Sequence, residues 1–149
     1  MKTIIFDLDG TLADISKRKK LATLKNGKLN WNELFNPINI KLDKPIPEII
    51  DIYKSLESSG FRIGIMSGRS YRTIDATEQW LSKHDIKYDF IYMRPVNDFT
   101  PDTKLKKSWV EEEQRKGHEI LCAFDDRDKV VKMFREMGIK CLQVTEGNF

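Results

Sequence analysis

Long apolar runs are missing from this sequence, and none approaches the length needed to cross a membrane. The first apolar run is broken by Asp7 and Asp9, which does not suit a signal peptide, so a cytoplasmic protein is expected. Cysteine is scarce. Cys122 and Cys141 are the whole complement, they share no short metal-type spacing, and both lie in apolar runs. They are expected to be reduced core thiols. A large excess of one charge is also absent: 26 basic against 23 acidic residues leave a net charge of +3. That balance permits a polyanionic partner without demanding one. There is no internal repeat, no low-complexity tract and no G-x-x-x-x-G-K-[ST] phosphate loop. What remains, 149 residues that are 40% hydrophobic and 33% charged, suits a single globular domain over 1–149.

The chain that is present alternates. Short runs rich in β-branched and aromatic residues near 2–8, 61–66, 88–93, 119–124 and 139–144 read as strands. Between them, apolar residues recur at helical spacing: Ile49, Ile52, Tyr53 and Leu56; Ile74, Thr77 and Leu81; Leu105 and Trp109; Val130, Met133, Phe134 and Met137. Gly60, Gly117 and Gly138 stand where left-handed caps should end three of the helices. The expected fold is therefore α/β, Rossmann-like, with a parallel five-stranded sheet in the order 3-2-1-4-5 and helices on both faces. Residues 14–44 interrupt the rhythm as a short basic insertion (Lys17, Arg18, Lys19, Lys20, Lys25, Lys28). "LNWNELF" inside it reads as a helical turn. A charge run of this kind is ordinarily a solvated surface. About thirty residues are too few for an independent lid, so no large cap domain is expected.

The informative residues fall at strand ends. "IIFDLDGT" places Asp7 and Asp9 after the first strand, "MSGR" places Ser67 and Arg69 after the second, and "FDDR" places Asp125, Asp126 and Arg127 after the fourth. In a parallel sheet these ends share one edge, where ligands bind. Four carboxylates in one crevice repel unless a cation neutralises them, and hard oxygen donors suit Mg2+. Asp7, Asp9, Asp125 and Asp126 are the candidate metal-side residues. The same set suits phosphoryl transfer through an aspartyl-phosphate. One carboxylate attacks phosphorus, a second acts as acid and base, and a hydroxyl and an ammonium hold the phosphate oxygens. The ammonium candidate is Lys106, four residues after Asp102, and a helix would put the two on one face so that the carboxylate aims the lysine.

Each piece has an ordinary structural use. "DGT" makes turns, "SGR" is common loop chemistry, "DDR" can cap a helix, and Asp102 with Lys106 can be a surface ion pair. Their conjunction at one sheet edge carries the reading.

With these motifs in place, the sequence resembles the haloacid dehalogenase superfamily of phosphotransferases. "DLDGT", "MSGR", the Asp102–Lys106 region and "FDDR" stand for that superfamily's four motifs. Within it the chain is similar to the 3'-phosphatase domain of bacteriophage polynucleotide kinase. "DGTLADISKR", "YMRP", "FDDRDKVVKMFREMGIKCLQV" and "EGNF" carry the closer match. The resemblance implies Asp7 as nucleophile, Asp9 as acid/base, and Ser67 and Lys106 as phosphate-holding catalytic residues. It also implies functional arginines at Arg18 and Arg69. Thr11, Arg18, Gly68, Arg69, Arg94 and Asp102 are the candidate substrate-binding residues. The implied substrate is a nucleic acid 3'-phosphate end. A mononucleotide phosphatase and a phosphoacceptor receiver module are the alternatives, and continuous turnover separates a phosphatase from the latter.

Overall fold

In the computed structural model, which describes residues 1–149, the elements run in the order β1 (Thr3–Phe6), β2 (Ala13–Asp14), α1 (Ser16–Ala22), α2 (Trp31–Leu34), β3 (Lys44–Pro45), α3 (Pro47–Ser58), β4 (Arg62–Ser70), α4 (Ile74–Lys83), β5 (Phe90–Arg94), α5 (Asp102–Arg115), β6 (Ile120–Asp125), α6 (Asp128–Glu136) and β7 (Lys140–Gln143). Short 3-10 helices at Pro37–Leu42 and Tyr71–Thr73 complete them. Five strands form one sheet in the order β5-β4-β1-β6-β7, every pair parallel. Taken in chain order the five are arranged 3-2-1-4-5, as the alternation predicted. The two-residue strands β2 and β3 form a separate antiparallel pair that closes the base of the 14–44 insertion.

β1 lies at the centre, and all four of its residues are buried, as a parallel strand covered on both faces requires. The pleat splits the core in two. Ile4 and Phe6 of β1, with Ile63 and Ile65 of β4, pack against Ile50 and Tyr53 of α3 and Trp80 and Leu81 of α4. Ile5 and Ala123 face the other way, against Trp109 and Val110 of α5 and Val130 and Phe134 of α6. The expected face of α3 is rotated slightly. Ile50 and Tyr53 are buried, whereas Ile52 is 42% exposed. Ile46 and Pro47 set the entry of α3, and the helix then presents Ile50 rather than Ile52 to β1 and β4. Gly60, Gly117 and Gly138 have φ of +86°, +86° and +78°, the left-handed caps expected after α3, α5 and α6.

The 14–44 insertion is not simply a solvated excursion. Lys17, Lys19, Lys20, Lys25 and Lys28 are exposed, but Arg18, Ala22, Leu34, Ile40 and Asp43 are buried. Asn30 caps the short α2 through its side-chain oxygen, which accepts from the backbone N–H groups of Asn32 and Glu33. The segment is thus a small packed layer beside the strand ends rather than a free loop. Cys122 and Cys141 are unpaired thiols, as expected. No helix is long and apolar enough to cross a membrane.

At the opposite end of the sheet, a buried carboxylate ties α5 to the strands. Glu113 accepts from Arg62 (2.7 Å), Tyr92 Oη (2.8 Å) and Lys116 (3.3 Å), and lies 2.8 Å from His118 Nδ1. Burial pushes this carboxyl up, but the bonds from Tyr92, Arg62, His118 and Lys116 outweigh it and hold it down at about 2. An unfolded chain takes up a proton here as the pH falls towards and below the ordinary glutamate value, while the folded chain resists until about 2. Stability present at neutral pH is therefore lost across that window. Glu113→Gln should flatten this acid limb in denaturant titrations run between about pH 5 and pH 2. An unchanged limb would remove Glu113 from the account.

Candidate active site

The first two carboxylates owe their separation to a tight turn. Asp7 follows β1 and is anchored by its backbone N–H on Phe124 O at 2.9 Å. The chain then wraps so that Thr11, Leu12 and Ala13 all donate to Leu8 O, at 3.2, 2.9 and 2.9 Å. Gly10 sits in this wrap at φ +80°, and any Cβ there would collide with the Asp126 carboxylate. Only glycine satisfies both demands. The wrap turns Asp7 inward, where Thr11 Oγ1 donates to its Oδ2 at 3.3 Å, and sends Asp9 towards the 14–44 layer.

Three of the four expected carboxylates converge. Asp7, Asp125 and Asp126 each offer an oxygen, all within 4.8 Å of one another. Lys106 reaches in from α5, donating to Asp7 Oδ1 at 2.8 Å and Asp125 Oδ2 at 2.7 Å. Burial and then Asp125 push the Asp7 carboxyl well up, against the pull of Lys106. Burial and Asp125 push Asp126 up as well. Burial works against the Lys106 ammonium, but Asp125 and Asp7 more than offset it, so its pKa is raised. One ammonium thus serves three crowded carboxylates, and the crowd stays under-neutralised. An all-oxygen, anionic and mutually repelling donor set fits a hard divalent cation.

Asp9 departs from the expected group of four. Its Oδ1 accepts from Arg69 Nε at 2.8 Å and from Arg18 Nη2 at 3.0 Å. Burial pushes the Asp9 carboxyl up, but Arg69 and Arg18 outweigh burial and lower it. Both guanidiniums are buried, with side chains 0% exposed, so the structure turns these two candidate substrate-binding residues onto internal carboxylates. Each is held by Asp43. Arg18 Nε and Nη2 donate to its two oxygens at 3.0 and 2.9 Å, and Arg69 Nη2 donates to Oδ2 at 2.8 Å. Arg18 also donates to Leu34 O and Arg69 to Thr77 Oγ1. Sequence reasoning misses Asp43. Its one available signal is an acid near the end of a basic segment.

Ser67 is buried inside the long strand β4, and its Oγ accepts from the Arg69 N–H at 3.2 Å. Asp102 does not aim Lys106, which corrects the helical-spacing expectation. It pairs instead with Arg94 and, at 3.0 Å, with Arg127. Lys106 lies one turn deeper in α5, where Asp7 and Asp125 outbid a partner in the first turn. Asp102 also abuts Gly68, where an added Cβ would sit 2.7 Å from its Oδ1. Arg94 likewise is committed internally, donating to Gly68 O at 3.0 Å and Asp98 O at 3.2 Å, and also to Thr100 O.

A family model for the polynucleotide kinase PNKP phosphatase domain matches residues 1–149. A predicted bifunctional polynucleotide kinase/RNA ligase of Autographa californica nuclear polyhedrosis virus is 29% identical over 142 residues, covering 93% of this chain and 18% of that protein. Among solved structures, a chain of the Pnkp1/Rnl/Hen1 RNA repair complex superposes with a TM-score of 0.79 at 30% identity, over 99% of this chain and 43% of that one. A haloacid dehalogenase-like hydrolase from Streptococcus pneumoniae shares the fold, with a TM-score of 0.69 at 19% identity, over 96% of this chain and 84% of its own. The chain therefore spans less than half the length of the polynucleotide kinase relatives described.

Proposed function

Because the chain belongs to the family of polynucleotide kinase PNKP phosphatase domains, phosphoric monoester hydrolases of the haloacid dehalogenase superfamily, we propose that residues 1–149 form a single Mg2+-dependent phosphatase domain that removes 3'-phosphate from polynucleotide ends through an aspartyl-phosphate. The observation that carries this reading is the convergence of Asp7, Asp125 and Asp126 around one buried ammonium, Lys106.

On this reading an Asp7 carboxylate oxygen attacks phosphorus, and the bond to the leaving 3'-oxygen breaks. Asp9 gives that oxygen a proton, then takes one from the water that cleaves the aspartyl-phosphate and restores Asp7. Arg18 and Arg69 fix Asp9 from behind and are positioning residues, locked in turn by Asp43. They hold Asp9 ionised in the free protein. A phosphoester dianion arriving beside it adds negative charge, which raises its proton affinity, so that Asp9 takes up from solvent the proton it then gives to the leaving oxygen. Ser67 and Lys106 hold non-bridging phosphate oxygens, with Thr11 orienting Asp7. Asp7, Asp125 and Asp126 would hold Mg2+, which when bound screens the nucleophile from the phosphate and neutralises charge on the transferring group.

The 14–44 layer is built of only two short helices and a 3-10 turn, too little chain for an independent lid over a small metabolite, which favours a chain end as substrate. Exposed Lys17, Lys19 and Lys20 on α1 supply charge for neighbouring phosphates.

With a 3'-phosphorylated oligonucleotide, phosphate release should be continuous in Mg2+ and stop in excess chelator. The thermal midpoint should rise with Mg2+, because the cation relieves the repulsion among the three acids. Release of a single phosphate per protein would turn the domain into a phosphoacceptor, and full turnover in chelator would remove the metal.

A further inference from the structure

Phe99 is 90% exposed, the most exposed aromatic side chain in the protein. Nothing about its loop explains this as slack in the backbone. The segment between β5 and α5 is pinned on both sides of Phe99, because the Arg94 guanidinium takes the carbonyls of both Asp98 and Thr100. Asp98 Oδ1 accepts from the Thr100 N–H at 2.8 Å, the Asp98 N–H donates to Pro95 O at 3.1 Å, and Asn97 adopts φ +60°. Two turns and one guanidinium therefore hold the backbone while the ring is left in water. Burying a phenylalanine stabilises a fold, and an exposed one contributes nothing to it.

The position of the loop gives the ring a use. The same Arg94 that grips the loop also donates to Gly68 O and pairs with Asp102, which packs on Gly68 and joins Arg127. The loop is thus fastened to the residue after Ser67 and to the residue after the Asp125–Asp126 pair. A second exposed ring, Tyr71 (53% exposed), starts the turn after β4, whose last residue Ser70 is paired with Arg94. The two exposed rings lie in the segments that follow the neighbouring strands β4 and β5.

We propose that Phe99, together with Tyr71 of the neighbouring strand's following turn, is a stacking platform for nucleobases of the polynucleotide whose 3'-phosphate enters the site. This rests on the polynucleotide reading above and adds to it how the bases, rather than the phosphates, are held. A π-face accepts any base, so the platform favours nucleic acid over small phosphoesters without selecting sequence. The lysines and the rings would then hold different parts of the same strand. The lysines bind neighbouring phosphates and are weakened by salt, whereas stacking is not.

The test compares kcat/KM for a 3'-phosphorylated oligonucleotide with kcat/KM for glycerol 2-phosphate, which has no base. In Phe99→Ala the ratio of the two should fall about tenfold, through KM for the oligonucleotide, and the fall should be the same at low and high salt. Phe99→Trp should restore the ratio. A ratio unchanged in Phe99→Ala while the wild-type protein still prefers the oligonucleotide would overturn the platform and leave the polynucleotide reading standing. A fall that disappears at high salt would also overturn it, since that is the signature of phosphate contacts. No wild-type preference for the oligonucleotide would overturn both.

Discussion

Asp7→Asn is expected to lose phosphate release by more than about a thousandfold while remaining folded, since removing a nucleophile leaves only what binding and electrostatics supply. An amide of nearly the same shape cannot attack phosphorus. The substitution also takes one charge out of the crowd of Asp7, Asp125 and Asp126, where burial and Asp125 already disfavour the Asp7 carboxylate. Lys106 keeps its 2.7 Å bond to Asp125. The thermal midpoint without divalent cation should therefore be no lower than that of the wild type, and its rise on adding Mg2+ should shrink. Activity above about one per cent of wild type, in protein free of carry-over, would remove Asp7 as the nucleophile.

Lys106→Met should damage both turnover and the fold. Its ammonium, 3% exposed, is the only cation within bonding distance of Asp7 and Asp125. Losing a charged stabiliser of the transferring phosphoryl group should lower turnover at least about a hundredfold. Leaving the carboxylates buried without it should cost about 3 kcal/mol in chelator, the range for breaking a buried ion pair from one side. Mg2+ should return part of that stability but not the activity, because the cation relieves repulsion and does not replace the ammonium on the phosphate. Lys104 is exposed on the same helix, so Lys104→Met should do neither. Denaturant titrations with and without Mg2+, beside phosphate-release rates, check both halves. Turnover within about tenfold of wild type would take Lys106 out of the site.

Chain order made the sheet and most of the site legible. Asp7, Ser67 and Asp125 each lie within or directly after a strand whose apolar run announces it, and parallel pairing brings those strand ends to one edge without further information. The positions that escaped reading depend on partners far along the chain. Arg18 has the look of part of a solvated basic run, yet it is buried because Asp43, Asp9 and Leu34 O take its donors. No periodicity marks Asp43 as the carboxylate that two guanidiniums need. The Asp102–Lys106 spacing predicts a pair on geometry alone. Which partner a lysine takes depends on charge density, and the two carboxylates at the strand ends are buried while Asp102 is not. Arg94 and Arg127, both outside α5, then complete Asp102 instead. Phe99 carries no signal in the sequence, because an exposed ring in a loop follows no pattern until its backbone is seen to be pinned.

The most direct test of the central claim is one panel of phosphate-release kinetics in Mg2+ at low salt. It sets a 3'-phosphorylated oligonucleotide beside the 5'-phosphorylated oligonucleotide of the same sequence and the matching 3'-mononucleotide. A polynucleotide 3'-phosphatase should show the highest kcat/KM on the first, with its lead over the mononucleotide shrinking as salt rises because counterion release drives the phosphate contacts. Equal efficiency on the 3'-phosphorylated oligonucleotide and the mononucleotide, or preference for the 5'-phosphorylated end, would contradict it.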